Sequence, residues 1–217
     1  MISTQKGFLF VHIPKSAGNS IQTVLAPFAD DQILRVRSQR DDLEHLYVSN
    51  GSLGTRKHST LADYRRALDP ELYRSLFKFT CVRNPWDRMV SHFFFKQEKR
   101  GREDFDAVTF RRFVSKRRPA AHYLVADSRW RCLKRRPLWQ RAAAAFDEID
   151  FFLRFENLNG DFRALCDRLR IPFEPLPLHN RSRHDHYSRY YDEASYRTVR
   201  DRFRDEIDYF GFRFETG

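Results

Sequence analysis

The chain has 217 residues, 32% of them charged and 41% hydrophobic, and its formal net charge is +11. That length fits one domain with a real core, and 21 Phe are available to fill it. No apolar run nears the roughly 18 to 20 residues that span a bilayer, and Met1 to Lys6 lacks the pattern of a signal peptide, so a membrane span is excluded and a cytoplasmic protein is expected. Cys81, Cys132 and Cys166 are far apart with no Cys-x-x-Cys pair, which fits reduced thiols in the same compartment.

In chain order, Phe8 to Val11 is a short apolar run that meets Pro14 and opens into the polar loop Lys15-Ser-Ala-Gly18-Asn-Ser20. Ile21, Val24, Leu25 and Phe28 then recur at the spacing of one buried helix face. Strand, loop and helix in that order aim backbone N–H groups and the positive helix end at one point, which suits a phosphate-like anion. Lys15 adds a full charge there. Ile33 to Arg37 reads as a short alternating strand, and residues 38–56, polar and Gly-containing, as mostly loop. Ser59 or Thr60 is placed to cap a helix carrying Leu61, Tyr64 and Leu68, and Asp69-Pro70 opens a further helical turn.

Phe77 to Val82 is the second strand and stops at Arg83-Asn84-Pro85, where a helix with Trp86, Met89, Val90 and Phe93 on its apolar face begins. Arg83 and Ser91 can therefore converge on one ligand at the strand's carboxyl end. Residues 96–141 hold 15 Lys and Arg against 5 Asp and Glu, nearly the whole charge excess of the chain. This segment, with a helical stretch near Phe110 to Val114 and a break at His122-Tyr123, is either a polyanion-binding surface or a solvated face. Glu148 to Phe155 is the third strand, turned at Glu156 to Asp161 into a helix bearing Phe162, Leu165, Cys166 and Leu169. After an irregular stretch containing Asn180-Arg181-Ser182-Arg183, a last helix from about Asp192 buries Tyr196, Val199, Phe203, Ile207 and Phe210 and stops at Gly211.

Three strand-to-helix units predict an α/β protein: a P-loop-like three-layer fold, one domain over 1–217, with a mostly parallel central sheet flanked by helices. Ligands of such sheets bind beyond the carboxyl ends of the strands, where the loops at Lys15 and Arg83 both lie. The first loop differs from that of the nucleotide triphosphatases because its lysine precedes the glycine, and no apolar strand ends in an Asp that would hold magnesium.

Val82-Arg83-Asn84-Pro85-Trp86-Asp87-Arg88-Met89-Val90-Ser91 resembles the 3′-phosphate motif of sulfotransferases, and His12 to Ser20 is similar to their 5′-phosphosulfate loop. The pair, with Arg154 to Leu158 and Tyr209 to Phe212, resembles the carbohydrate sulfotransferase family that includes the heparan sulfate 2-O- and chondroitin sulfotransferases. The resemblance implies 3′-phosphoadenosine 5′-phosphosulfate (PAPS) as donor, with no metal required. It implies Lys15 on the phosphosulfate, the amides of Ala17 to Ser20 with the Asn19 and Ser20 side chains on the 5′-phosphate, and Arg83 and Ser91 on the 3′-phosphate. Ser16 belongs to the same loop, and Arg181 falls where some members close a basic loop over the nucleotide. The family often has Thr where Asn19 stands. His58 is the expected general base and His122 its rival, because an alcohol needs a proton acceptor at neutral pH.

The expected acceptor is a carbohydrate or other hydroxyl-bearing molecule, with the basic segment and its Phe105, Phe110, Phe113, Tyr123, Trp130 and Trp139 as the surface for sugar rings and acidic groups. His179, His184 and His186 lack the partners of a zinc site. Two other readings stay open: a small-molecule or nucleoside kinase, and a nonenzymatic polyanion-binding module, although no recognised nucleic-acid motif is present and no nucleic acid is expected as partner.

Overall fold

The structure, a computed structural model, describes residues 1–37, 44–101, 105–125, 146–177 and 184–217. Its strands are β1 (Ile2–Ser3), β2 (Phe8–Val11), β3 (Gln32–Arg37), β4 (Glu44–Asn50), β5 (Thr55–Arg56), β6 (Phe77–Val82) and β7 (Phe151–Arg154). Its helices are α1 (Gly18–Leu25), α2 (Leu61–Ala67), α3 (Pro70–Ser75), α4 (Pro85–Glu98), α5 (Ala107–Val114), α6 (Ala121–Leu124), α7 (Leu158–Leu169), α8 (Glu193–Arg202) and α9 (Arg204–Phe210). The main sheet has the order β1-β2-β6-β7, with β2, β6 and β7 parallel and β1 an antiparallel edge.

Alternation along these strands sends neighbouring residues to opposite faces. Phe8, Phe10, Phe79, Cys81 and Leu153 pack under α1 and α7. Leu9, Val11 and Val82 pack under α2, α3 and α6. Both faces are thus covered, as parallel strands require, and each fully buried Phe contributes about 1.5–3 kcal/mol of hydrophobic stabilisation. The buried Thr80 hydroxyl is satisfied by the Val11 carbonyl across the β2–β6 pair, at 2.7 Å. Cys81 and Cys166 are free and buried; Cys132 lies outside the described residues.

The caps fall where the sequence puts them. Thr60 and Asp63 form a reciprocal capping box on α2, Asp69 caps α3, Asp192 caps α8, and Gly211 ends α9 at φ 66°. Three elements differ from expectation. Within 38–56, read as mostly loop, β4 and β5 join β3 in an antiparallel sheet. Leu46 and Val48 point inward while Tyr47 and Ser49 point out, an alternation diluted by polar neighbours and completed only by pairing with β3. The last helix is two, broken at Phe203 (φ −108°, ψ 17°), although the expected stripe still supplies buried Val199, Phe203, Ile207 and Phe210. The expected break at His122-Tyr123 is the single-turn helix α6.

A third apolar cluster joins α4, α5, α8 and α9 through Trp86, Met89, Phe93, Phe110, Val199 and Phe203. Phe105 and Phe113 pack on Phe93 with ring centroids 5.8 and 5.5 Å away. These two and Phe110 therefore belong to this cluster and not to an acceptor surface: Phe110 and Phe113 share the packed face of α5, and Phe105 joins them from the segment before it. Tyr123 packs against the cluster under α2, and Trp130 and Trp139 lie outside the described residues.

Inside this region Arg88 Nη2 donates to Glu206 Oε1 at 2.7 Å, and both side chains are 3% exposed. Glu206 also accepts the Ala120 N–H at 2.8 Å, so one carboxylate ties α4, α9 and the start of α6. Removing one member leaves a buried charge unpaired. Arg88→Ala and Glu206→Ala should each lower the unfolding free energy by about 3–5 kcal/mol, whereas Arg88→Met with Glu206→Leu should recover most of the loss. Denaturant unfolding of the three variants checks this.

Candidate active site

At the end of β2 the chain passes through His12 and Ile13, both buried, into a loop with two left-handed residues, Lys15 at φ 68° and Ala17 at φ 55°. Left-handed turns of this kind point successive N–H groups toward one side, which creates an anion-binding concavity. α1 begins there, at Gly18. The Ser16 hydroxyl is buried in this loop without a hydrogen-bond partner. A Cβ on Gly18 would stand 2.0 Å from the His12 ring, so only glycine allows the loop to close this tightly. The ring cannot easily withdraw, because His12 Nδ1 donates to Gln22 Oε1 at 3.1 Å.

The loop after β6 supplies the second half. Arg83 Nη1 donates to the Lys15 carbonyl at 3.1 Å, and Arg83 Nε donates to Asp87 Oδ2 at 2.7 Å. The guanidinium also lies 3.9 Å above the Phe155 ring. Asn84 is fixed three ways. Its N–H donates to Glu156 Oε1 at 2.8 Å, its Nδ2 donates to the Arg213 carbonyl at 2.8 Å, and its Oδ1 caps the Trp86 N–H. Ser91, on α4, is buried at the cleft wall.

These loops border a cleft of about 2130 Å³. That exceeds the roughly 300–1,000 Å³ of a single small-molecule site and leaves room for two ligands. Among the described residues eight Lys and Arg line it against four Asp and Glu, so the interior favours anions. Lys15 Nζ sits 4.1 Å over the Phe95 ring. Burial first, and then the neighbouring Arg83 charge, push its ammonium down to about 7.

His58 lies on the same wall. Its Nδ1 is 3.1 Å from the His12 carbonyl, which can only accept, so Nδ1 carries the proton and Nε2 keeps a lone pair. Burial lowers its pKa, the backbone bond to His12 opposes this, and the Lys57 and Lys96 charges lower it further. His58 is thus neutral at pH 7 and able to accept a proton.

Of the sequence-derived residues, Lys15, Ala17, Gly18, Asn19, Ser20, His58, Arg83 and Ser91 share this cleft. Ser16 lies beneath the loop and not on the open wall. His122 is not on the wall; it bonds Arg118 Nη1 through Nε2 at 2.8 Å. Arg181 and His179 lie outside the described residues, as do Lys134, Arg135 and Arg136. The structure adds residues to which the sequence assigned no role: Phe95 under Lys15, Phe155 and Asp87 around Arg83, and Glu156 under Asn84. Only Asp87, four residues after Arg83 at a helix start, carried a readable signal. His92 is also on the wall, but burial and four nearby cations pull it down to about 3, which leaves a weak base. Among the described residues no group of three or more His, Cys, Asp or Glu is arranged to hold a metal ion, and no helix is long and apolar enough to cross a membrane.

Two loops at the carboxyl ends of the parallel strands β2 and β6, with a neutral histidine beside them, border one cationic cleft. The family model of the sulfotransferase family matches residues 1–213, and the chain belongs to that family. It is an enzyme of sulfuryl transfer, which sets aside the kinase and the nonenzymatic polyanion-binding module. No curated protein and no solved structure matches the chain.

The Gly18 contact yields a direct test. Gly18→Ala should destabilise the fold by about 1–3 kcal/mol through overpacking against His12, and should weaken anion binding at the loop. Thermal unfolding with and without added nucleotide separates the two effects.

Proposed function

We propose that the protein transfers a sulfuryl group from PAPS to a hydroxyl of a carbohydrate or similar acceptor by in-line displacement. The observation that carries this reading is the pairing of two separate anion loops through Arg83 and Lys15, with the free Nε2 of His58 on the same cleft wall. The buried, partnerless Ser16 hydroxyl and the glycine-only approach at Gly18 are what a loop closing round a phosphate needs.

The donor supplies the activated sulfuryl group and departs as 3′-phosphoadenosine 5′-phosphate (PAP). On this reading the amides of Ala17 to Ser20, with the Asn19 and Ser20 side chains, hold the 5′-phosphate, and Ser16 supports the loop from beneath. Arg83 and Ser91 hold the 3′-phosphate; Asp87 and the Lys15 carbonyl use two guanidinium N–H groups, which leaves the remainder of the fork to grip oxygens. Lys15 stands over Phe95 and offsets the charge that grows on the leaving phosphate. His58 Nε2 takes the acceptor proton as the new oxygen–sulfur bond forms and the old one to the 5′-phosphate breaks. None of these roles calls on a metal ion, and Arg181 would add a closing cation from outside the described residues.

Calorimetric titration tests the donor site. PAP should bind more tightly than ATP with magnesium, and Lys15→Ala and Arg83→Ala should each weaken PAP by about tenfold or more, as loss of a charge-assisted contact does. ATP with magnesium binding as well as PAP would sink the reading. The Lys15 ammonium is the binding form and titrates near 7 in the free protein. Raising the pH from 7.5 toward 9 should therefore weaken PAP by up to about tenfold per unit, with the slope absent in Lys15→Ala.

For the base, His58→Ala should lower kcat by about 10²–10⁴-fold with PAP affinity unchanged. Its neutral form is the active one and its pKa is lowered. At saturating PAPS the rate should then show an acid limb below the usual imidazole value of about 6.5. An acid limb that persists unchanged in His58→Ala would remove His58 from the role.

A further inference from the structure

The donor roles leave one part of the cleft unexplained. α4 runs along the wall from the Arg83 loop, and at 1.5 Å per residue its last turn carries Lys99 about 12 Å beyond Ser91. Lys99 Nζ lies 4.7 Å over the same Phe95 ring that carries Lys15, so it stands just past the leaving-group lysine. Lys57 and Lys96 bear electrostatically on His58, and Lys99 bears on Lys57. All three line the cleft, and among the described residues none makes an ion pair. Three of the four carboxylates lining the cleft are engaged elsewhere, Asp87 by Arg83, Glu156 by the Asn84 N–H and Asp185 by Arg189, and the fourth, Glu215, lies in the C-terminal segment held by the Tyr187 hydroxyl.

Next to these lysines the antiparallel sheet presents an apolar face to the cleft. Leu34 and Tyr47 are cross-strand partners, 63% and 58% exposed, and Arg56 lies opposite Ser49 one step along the same face. Lys57 joins the two features, since its Nζ donates to the carbonyl of Leu46 beside Tyr47. A row of ammonium groups with no ion pair among the described residues and an exposed aromatic–aliphatic pair are complementary to a ligand that is anionic on one side and apolar on another.

We propose that Lys57, Lys96 and Lys99 with the Leu34–Tyr47 pair form the acceptor subsite, and that the acceptor carries a negative charge near the reacting hydroxyl and an apolar face against Tyr47. This rests on the reading of the cleft as a sulfuryl-transfer centre. The subsite is continuous with the donor half of the cleft and lies on the His58 side of it.

The test uses the full chain saturated with PAP and three probes: para-nitrophenyl β-D-glucuronide, para-nitrophenyl β-D-glucoside and methyl β-D-glucuronide. Calorimetry should rank the first about tenfold or more tighter than either of the others, which lack its carboxylate or its ring. Lys96→Glu should abolish the preference for the glucuronide over the glucoside. Tyr47→Ser should weaken both nitrophenyl glycosides and leave the methyl glucuronide unchanged. Both side chains are exposed, and PAP affinity should stay within about twofold in each variant. Equal binding of glucuronide and glucoside, no binding of any probe to the PAP complex, or an unchanged preference in Lys96→Glu overturns the acceptor proposal alone. Failure of PAP itself to bind overturns the donor reading and this proposal with it.

Discussion

A guanidinium N–H of Arg83 and the carbonyl of Lys15, 3.1 Å apart, join loops that lie 68 residues apart in the chain. The carbonyl is available because Lys15 is left-handed, a conformation that costs a non-glycine residue about 1–2 kcal/mol when nothing supports it. Arg83 provides the support, and is itself aimed by Asp87 and the Phe155 ring. The contact also brings two positive side chains together, and their repulsion contributes to the lowered Lys15 pKa. A site built this way is electrostatically incomplete until an anion sits between its cations. The same bond that shapes the loop thus sets its preference for a negatively charged occupant.

The fold can hold that contact because the sheet is covered on both faces. Phe8 and Phe10 under α1 and α7, and Leu9 and Val11 under α2 and α3, fix the carboxyl end of β2 from opposite sides. Parallel pairing of β2 with β6 then sets the Lys15 and Arg83 loops side by side. The third cluster anchors α4, whose Arg88 is locked to Glu206, so the helix that carries Ser91, Phe95, Lys96 and Lys99 along the cleft cannot rotate freely. Two charges on neighbouring turns are separated by this arrangement: Arg88 faces the interior, while Arg83, five residues earlier, faces the cleft.

Much of this frame is legible in the chain because its signals are local. The apolar runs at Phe8 and Phe77, the caps at Thr60, Asp69 and Asp192, and the stop at Gly211 each specify an element by themselves. β4 is not legible in the same way, because Glu44, His45, Ser49 and Asn50 hide an alternation that only pairing with β3 completes. Phe105, Phe110 and Phe113 looked like ligand-facing aromatics because basic residues surround them, yet the partner that buries them, Phe93, comes from another helix. The site divides along the same line. Lys15 and Arg83 stand in recognisable motifs, whereas His58, Phe95, Phe155 and Glu156 gain their places from contacts made across the fold.

The position of His58 follows from the loop that holds the donor. Its Nδ1–H is bonded to the carbonyl of His12, three residues before Lys15, and its ring lies 4.6 Å from the His12 ring. His12 is in turn fixed by Gln22 and by the close approach of Gly18. On the proposed reading, the residue that takes the acceptor proton and the residue that offsets the leaving charge are therefore positioned from one short stretch of backbone. In-line transfer depends on the alignment of three atoms to within a fraction of an ångström, and errors accumulate when its parts hang from separate elements. Here a shift of the β2–α1 loop would carry base and lysine together. On the same reading the acceptor side, built from lysines and a sheet surface that do not hold this loop, can vary in what it admits without disturbing that alignment.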